Sequence, residues 1–145
     1  MTAEAQVAMI TRLTEKIRKN LLDIVRTESY RLEDADFALI SYGVSARSSL
    51  AAVDEARQQG IKAGLLRLIT VWPFPEDLVR SLAEKVQALV TVEINLGQIH
   101  LEVQRCSAGR APAFLVGHAG GTVIPPEHIV ALLKDIQSLN SNRRT

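Results

Sequence analysis

Polar side chains that could carry chemistry follow a short apolar run near the middle of the chain. Residues 88–92 read ALVTV, a run rich in β-branched residues that predicts a strand buried on both faces. Glu93, Asn95 and Gln98 come directly after it, with Gly97 among them. Ligands and partners of an open α/β sheet gather outside the carboxyl ends of its strands. These three residues could therefore form an active site, a docking surface or only a hydrogen-bonded loop.

A catalytic role for Glu93 would require a carboxylate with a raised pKa and a second group to act with it. The three histidines, His100, His118 and His128, lack the spacing of metal ligands, and no Ser–His–Asp set is apparent. We therefore predict no catalytic residue and no metal ligand in this chain. The polar residues after position 92 are interpreted as organisers of a contact surface.

Two glycine-containing loops could hold an anion. Gly43 and Ser45 join a predicted strand to a predicted helix, and backbone N–H groups at such a helix start can bind a phosphate or carboxylate. Gly120 and Gly121 follow another predicted strand. Neither loop has the G-x-G-x-x-G pattern or a Walker lysine. Helix capping at Ser45 and plain tight turns at the glycines are the alternatives.

The segment Trp72-Pro73-Phe74-Pro75 contains two of the four Trp and Phe residues of the chain. Its prolines impose a rigid, extended path. If Trp72 and Phe74 are exposed, they are interface anchors, because tryptophan is enriched in binding hot spots. If they are buried, they close the end of the sheet.

Strands alternate with helices four times, which predicts a mostly parallel sheet covered on both faces. Strands are predicted at 37–42, 62–69, 88–92 and 113–116, with a further edge strand at 29–32. Helices are predicted at 9–26, 45–59 and 99–107, and from Pro75 and Pro125 onward. Residues 1–8 are expected to be frayed, and Leu50 and Leu78 to face inward. Parallel strands would bring residues 42–45, 70–75, 93–98 and 117–122 to one edge of the sheet, which we call the rim.

Composition narrows the function classes. The chain has 145 residues, which suits one domain, and 17 Lys and Arg against 16 Asp and Glu. Near-neutral charge and 4% aromatic residues argue against nucleic acid or an anionic membrane as partner. Cys106 is the only cysteine, which excludes an internal disulfide and any iron–sulfur or zinc site built on several thiolates. No apolar run approaches the roughly 20 residues of a membrane span, and the start lacks a secretory signal, so we expect a cytoplasmic protein.

Three motifs together carry a family resemblance: YGVSAR at 42–47, GIKAGLLRLITVWPFPE at 60–76, and VEINLGQ at 92–98 followed by EVQR. They resemble the C-terminal region of the alpha subunit of 2-oxoacid:ferredoxin oxidoreductases, the 2-oxoglutarate type most of all. The same layout is more distantly similar to the C-terminal domain of transketolase-like enzymes. The resemblance covers roughly residues 11–136.

The resemblance implies a three-layer α/β/α domain whose sheet has four to five strands, the edge strand at 29–32 being antiparallel. It divides the chain into a linker helix (1–27), a transketolase C-terminal-like domain (28–139) and a disordered tail (140–145). The whole enzyme would oxidatively decarboxylate a 2-oxoacid, expected to be 2-oxoglutarate, to an acyl-CoA. It would use thiamine diphosphate, iron–sulfur clusters and coenzyme A, and would pass electrons to ferredoxin.

Under this resemblance the chain itself holds no cofactor and is inactive alone. It would be an assembly domain that contacts other domains of the alpha subunit and the thiamine-diphosphate-binding beta subunit. Its interface residues would be Trp72, Phe74, Glu93, Asn95 and Gln98. The alternative is an independent α/β module that binds a small anion, such as a nucleotide or coenzyme A, through Gly43, Ser45, Gly120 and Gly121.

Overall fold

The computed structural model describes the backbone of residues 2–142 and the side chains of residues 2–141. Its strands are β1 (Thr27–Tyr30), β2 (Phe37–Tyr42), β3 (Ala63–Leu68), β4 (Ala88–Glu93) and β5 (Ala113–Gly117). Its helices are α1 (Ala3–Lys19), α2 (Leu21–Ile24), α3 (Ser45–Gln58), α4 (Glu76–Ala83), α5 (Gln98–Ser107) and α6 (Pro126–Asn142). No helix in this part of the chain is long and apolar enough to cross a membrane.

The five strands form one sheet in the order β1-β3-β2-β4-β5. β2 to β5 are parallel, and β1 runs antiparallel to β3 at the edge. This confirms the predicted three-layer α/β/α fold and its antiparallel edge strand, although β1 lies two residues earlier than expected. From β2 the chain continues to β3 on one side of the sheet, and from β3 it crosses to β4 and β5 on the other side. The topological switch point therefore lies between β2 and β4, at their carboxyl ends.

Two apolar layers hold the sheet between its helices. On one face, Phe37 and Leu39 of β2 pack with α3 and α6; on the other, Ala38 and Ile40 of the same strand pack with α4 and α5. Every residue of β4 is buried. This is why the central strands are continuous apolar runs rather than alternating ones.

The N-terminal helix begins earlier than predicted. Residues 1–8 were expected to be frayed, but α1 starts at Ala3 because Thr2 accepts a hydrogen bond from the N–H of Ala5 at 3.3 Å and caps the helix. The single helix predicted at 9–26 is also interrupted. Asn20 ends α1 and donates its side-chain amide to the carbonyl of Lys16 at 2.6 Å, and the short α2 follows.

Three side-chain predictions in the helices are wrong. Ser45 is the first residue of α3 and makes no cap; Val44 precedes the helix, because Gly43, with a φ of 56°, turns the chain one residue earlier. Leu50 and Leu78 are exposed. α3 instead presents small residues such as Ala52 and Ala56 to the sheet, which lets the helix approach closely.

The tail predicted to be disordered from Asn140 begins inside a helix. α6 continues to Asn142, and the side-chain amide of Asn140 donates to Oε1 of Gln87 at 3.4 Å. The rest of that prediction, residues 143–145, lies outside the described residues. The division of the chain into domains stays a prediction.

Two leucines of α6 allow a matched test of this core. Leu133 is fully buried against the sheet, whereas Leu139 is 58% exposed. We expect Leu133→Ala to lower the free energy of unfolding by about 2–5 kcal/mol, since it removes buried methyl groups and leaves a cavity. Leu139→Ala should change it by less than about 0.5 kcal/mol. Urea unfolding followed by circular dichroism measures both, and equal effects would contradict the packing of α6.

Candidate functional site

The start of α5 is held by two polar side chains from the end of β4. Oε2 of Glu93 accepts a hydrogen bond from the N–H of Ile99 at 3.1 Å, and Oε1 accepts one from the N–H of His100 at 3.0 Å. Oδ1 of Asn95 accepts from the N–H groups of Gly97, at 2.9 Å, and Gln98, at 3.1 Å. The four N–H groups at the helix start, which have no partner within the helix, are thus all satisfied.

This arrangement explains the spacing of the Glu93-Ile94-Asn95-Leu96-Gly97-Gln98 motif. Gly97 occupies the capping position of α5 with a φ of 101°, a conformation that favours glycine, and it has no side chain with which to cap. Glu93 and Asn95 supply the acceptors that a capping Ser or Asp would normally provide. A carboxylate at a helix start is further stabilised by the helix dipole.

Glu93 also belongs to a polar cluster that joins the two central strands. The Asn95 side-chain amide donates to the hydroxyl of Tyr42, at the end of β2, at 2.7 Å. Burial, and then the negative charge of Glu93, raise the pKa of Tyr42. Nδ1 of His100 lies 3.2 Å from the hydroxyl of Thr91 beneath α5. Burial lowers the pKa of His100, while the charge of Glu93 opposes that change.

The carboxylate of Glu93 is fully engaged by hydrogen bonds within the chain. Glu93 has no exposed surface, and both of its carboxylate oxygens are occupied by backbone donors. The carboxylate of Glu93 thus holds the start of α5 from within the chain, and its contact with a partner stays a prediction. Asn95 is half-buried and Gln98 is exposed, so these two remain accessible at the rim.

In the segment after β3, one aromatic residue is exposed and the other is partly buried, so each of the two predicted alternatives applies to one residue. Trp72 is 72% exposed, whereas Phe74 is partly buried and packs against the apolar layer under α4 and α5. Phe74 thus covers the end of the core, and Trp72 projects from it. Thr70, at the beginning of the segment, donates its hydroxyl to the carbonyl of Ile24 at 2.7 Å and accepts from the N–H of Arg26 at 3.3 Å.

A large open groove lies beside Trp72. One wall is formed by α1 and α2, and the other by residues 71–75 with the adjoining parts of α4 and α5. The groove encloses about 1120 Å³, and its lining is mainly apolar. The contribution of α1 was missed from the sequence. In the helix predicted at 9–26, Ile10, Leu13, Ile17 and Leu21 share one face, but the sequence does not show which surface that face meets.

The two glycine loops lie apart at the rim, and whether they bind an anion stays a prediction. Gly43 and Ser45 follow β2, whereas Gly120 and Gly121 follow the edge strand β5, with β4 between them. Two strand spacings correspond to roughly 9.6 Å. The N–H of Gly120 donates to Nδ1 of His118 at 2.9 Å, and Ser45 is buried. Within residues 2–142 no group of three or more His, Cys, Asp or Glu side chains is placed to hold a metal ion.

Comparison with known proteins identifies the family. Residues 35–129 match the family described as pyruvate:ferredoxin oxidoreductase core domain II. The chain belongs to that family. It is 41% identical over 130 residues to the 2-oxoglutarate synthase subunit KorA of Methanothermobacter thermautotrophicus, a match that covers 90% of this chain and 35% of that protein. It is also 41% identical over 112 residues to the ketoisovalerate oxidoreductase subunit VorB of Methanothermobacter marburgensis, covering 77% of this chain and 32% of the relative.

Solved structures confirm the fold. A 2-oxoglutarate:ferredoxin oxidoreductase from Magnetococcus marinus superimposes with a TM-score of 0.77 at 19% identity, over 94% of this chain and 24% of that one. A split-gene transketolase gives a TM-score of 0.68 at 20% identity, over 79% of this chain and 42% of that one. The chain thus spans about a third of the length of these two curated relatives. The predicted family and the transketolase-like fold are both confirmed.

Glu93 provides a test of how the rim is held. Glu93→Gln keeps one acceptor oxygen but turns an NH₂ group toward a backbone N–H of α5. We expect the free energy of unfolding to fall by about 1–3 kcal/mol, because a buried donor loses its partner. Glu102→Gln removes a partly exposed carboxylate of the same helix that pairs with Arg105, and it should change the free energy of unfolding by less than about 1 kcal/mol. If denaturant titration gave the same result for both variants, the capping role would be wrong.

His100 should make the stability depend on pH. Because burial lowers its pKa in the folded state, the folded chain binds this proton less readily than the unfolded chain does. The corresponding stability is present above the unfolded-state value of roughly 6.5 and is lost as the pH falls through the folded-state pKa. We expect His100→Asn to flatten the decline in unfolding free energy between about pH 7 and pH 5. An unchanged slope, measured by urea titrations across this range, would contradict the assignment.

Proposed function

We propose that this chain is a non-catalytic assembly domain of a 2-oxoacid:ferredoxin oxidoreductase subunit. It supplies a folded surface on which the rest of the subunit and its partner subunits pack. The complete enzyme oxidatively decarboxylates a 2-oxoacid to an acyl-CoA and passes the electrons to ferredoxin. The chain contributes to that reaction by assembly, and its own side chains take part in no chemical step.

The observation that carries this proposal is the fraction of each relative that the chain spans. It accounts for 35% of the KorA relative and 24% of the Magnetococcus marinus chain, so most of each of these proteins lies outside it. The residues in hand also do not fit the cofactors expected of the whole enzyme. The single cysteine, Cys106, is fully buried and cannot hold an iron–sulfur cluster alone. Iron–sulfur clusters would therefore bind elsewhere in the complex, and we propose the same location for thiamine diphosphate and coenzyme A.

We propose 2-oxoglutarate as the substrate of the complete enzyme. The KorA relative matches over a longer part of this chain than the VorB relative does, at the same identity. The choice of 2-oxoacid thus follows from the comparison of these two relatives.

The contact surface of the domain includes the accessible residues of the rim. Trp72 is its most prominent member, since a largely exposed indole is suited to bury apolar area while its N–H finds a partner. Phe74 supports this segment from below. Asn95 and Gln98 belong to the same rim, where the capping interactions at the start of α5 hold them.

A chimeric subunit tests this function directly. The matched 130 residues of KorA from Methanothermobacter thermautotrophicus are replaced by this chain, and the subunit is assembled with the other subunits of that enzyme. We expect reduction of an electron acceptor that depends on 2-oxoglutarate and coenzyme A. This chain alone, supplied with thiamine diphosphate and coenzyme A, should show no turnover, because the reacting groups lie outside it.

The matched control is KorA with the same 130 residues deleted and not replaced, which should neither assemble nor turn over. Turnover by the isolated chain would show that it is itself catalytic. A chimera that behaves like the deletion would contradict the assembly role.

A further inference from the structure

The helix α1 presents an apolar face that no part of residues 2–141 covers. None of its 17 residues is buried, and Val7, Ile10 and Leu13 are each at least half exposed. Such a helix is marginal in water unless its apolar face packs against another element. The polar residues Arg12, Glu15, Lys16 and Lys19 lie together on a different side of the helix, around a second, shallow depression.

The uncovered face of α1 looks across the groove beside Trp72. Leu13, Ile17 and Leu21 line one wall, and Trp72 and Leu78 line the other. At about 1.5 Å per residue, α1 extends this wall for roughly 25 Å. Charged side chains of both signs, including Arg18, Glu76 and Arg105, stand among the apolar ones. An apolar centre with a polar, charged margin is the usual anatomy of a protein interface.

The groove is anchored at the end of α2. The hydroxyl of Thr70 donates to the carbonyl of Ile24, and the N–H groups of Ile69 and Thr70 both donate to the carbonyl of Arg26 at 3.0 Å. These bonds fix the chain between α2 and β1 directly beside the segment that carries Trp72. On the other wall, Arg105 of α5 bridges Glu76 of α4 at 2.7 Å and Glu102 at 2.8 Å. Both walls are thus tied to the domain.

The comparison with the Magnetococcus marinus structure indicates what occupies the groove. That match includes 94% of this chain, so about nine residues at most are left out, and α1 alone has 17. At least part of α1, with the domain behind it, therefore recurs as a quarter of a much longer chain. About three quarters of that chain lies outside the match and is available to cover the groove.

We propose that the groove between α1 and residues 71–75 is the docking site for an apolar surface of the same subunit, from the part that lies outside the third spanned here. This inference rests on the proposed function. It adds that α1 is one wall of the interface, not only a connection to it. The partner surface carries apolar side chains at its centre and mixed charges at its margin.

Hydrogen exchange in the KorA chimera tests the occupant. We expect backbone amides of residues 3–19 and 71–75 to exchange about tenfold more slowly in the chimera than in this chain alone, equivalent to ~1.4 kcal/mol of added protection. Leu13→Asp and Trp72→Ala, one in each wall, should each remove most of that protection. Thr11→Asp adds the same charge to the other side of α1 and should leave the protection intact.

Leu13→Asp is expected to leave the domain folded, since α1 buries no residue, and the circular dichroism and thermal unfolding of the isolated variant check this. A chimera that turns over with α1 unprotected would overturn the groove while sparing the proposed function. A chimera in which α1 is protected but which does not turn over would support the groove and contradict the proposed function. Sedimentation of this chain alone should show a monomer; a dimer abolished by Leu13→Asp would make a second copy the occupant and overturn the proposal.

Discussion

The arrangement at the carboxyl ends of the strands depends on one buried carboxylate. Glu93 ends a strand with no exposed residue, and its charge is removed from water entirely. Such a burial is costly unless the charge is paired or fully hydrogen-bonded. The N–H groups of Ile99 and His100 satisfy both oxygens. Because these donors belong to the first turn of α5, the need to satisfy Glu93 also fixes where that helix begins and how it leaves the sheet.

The hydrogen bonding of Glu93 also affects the arrangement of residues at the surface. Asn95 completes the cap of α5 and binds the hydroxyl of Tyr42, so the ends of β2 and β4 are joined at the topological switch point of the sheet. Many α/β proteins leave an open crevice at this point for a ligand. Here side chains of the chain itself satisfy one another across it. An accessible apolar groove lies to one side of this point, where α5 and α4 form a wall with Trp72.

This distribution agrees with a domain that serves assembly within its family. A surface with an exposed tryptophan, an uncovered helix face and a groove of about 1120 Å³ is unusual for a domain that works alone. The relatives and the solved neighbour are much longer than this chain. Apolar surface that would be a liability in an isolated domain becomes core when the rest of such a subunit packs against it.

Local sequence patterns were sufficient for most elements of the fold. The apolar runs of β2, β3, β4 and β5 and the glycines and prolines between them predicted an alternating α/β chain, because strand burial and turn chemistry are decided within a few residues. The predicted helix boundaries were less accurate where helix propensity and capping favour different end points. Thr2 starts α1 earlier than the apolar stripe suggested, and Asn20 interrupts it.

The sequence by itself determined the fold class, the family and the position of the polar motif after β4, since each of these is carried by residue order. Only the tertiary structure decided what the motif does. Glu93 and Asn95 are adjacent in sequence to the N–H groups that they cap, but their burial and the link to Tyr42, more than fifty residues away, depend on strand order. The same holds for α1. Its apolar stripe is a property of the sequence, whereas the surface that it faces is set by the contacts of Thr70 with Ile24 and Arg26 across the fold.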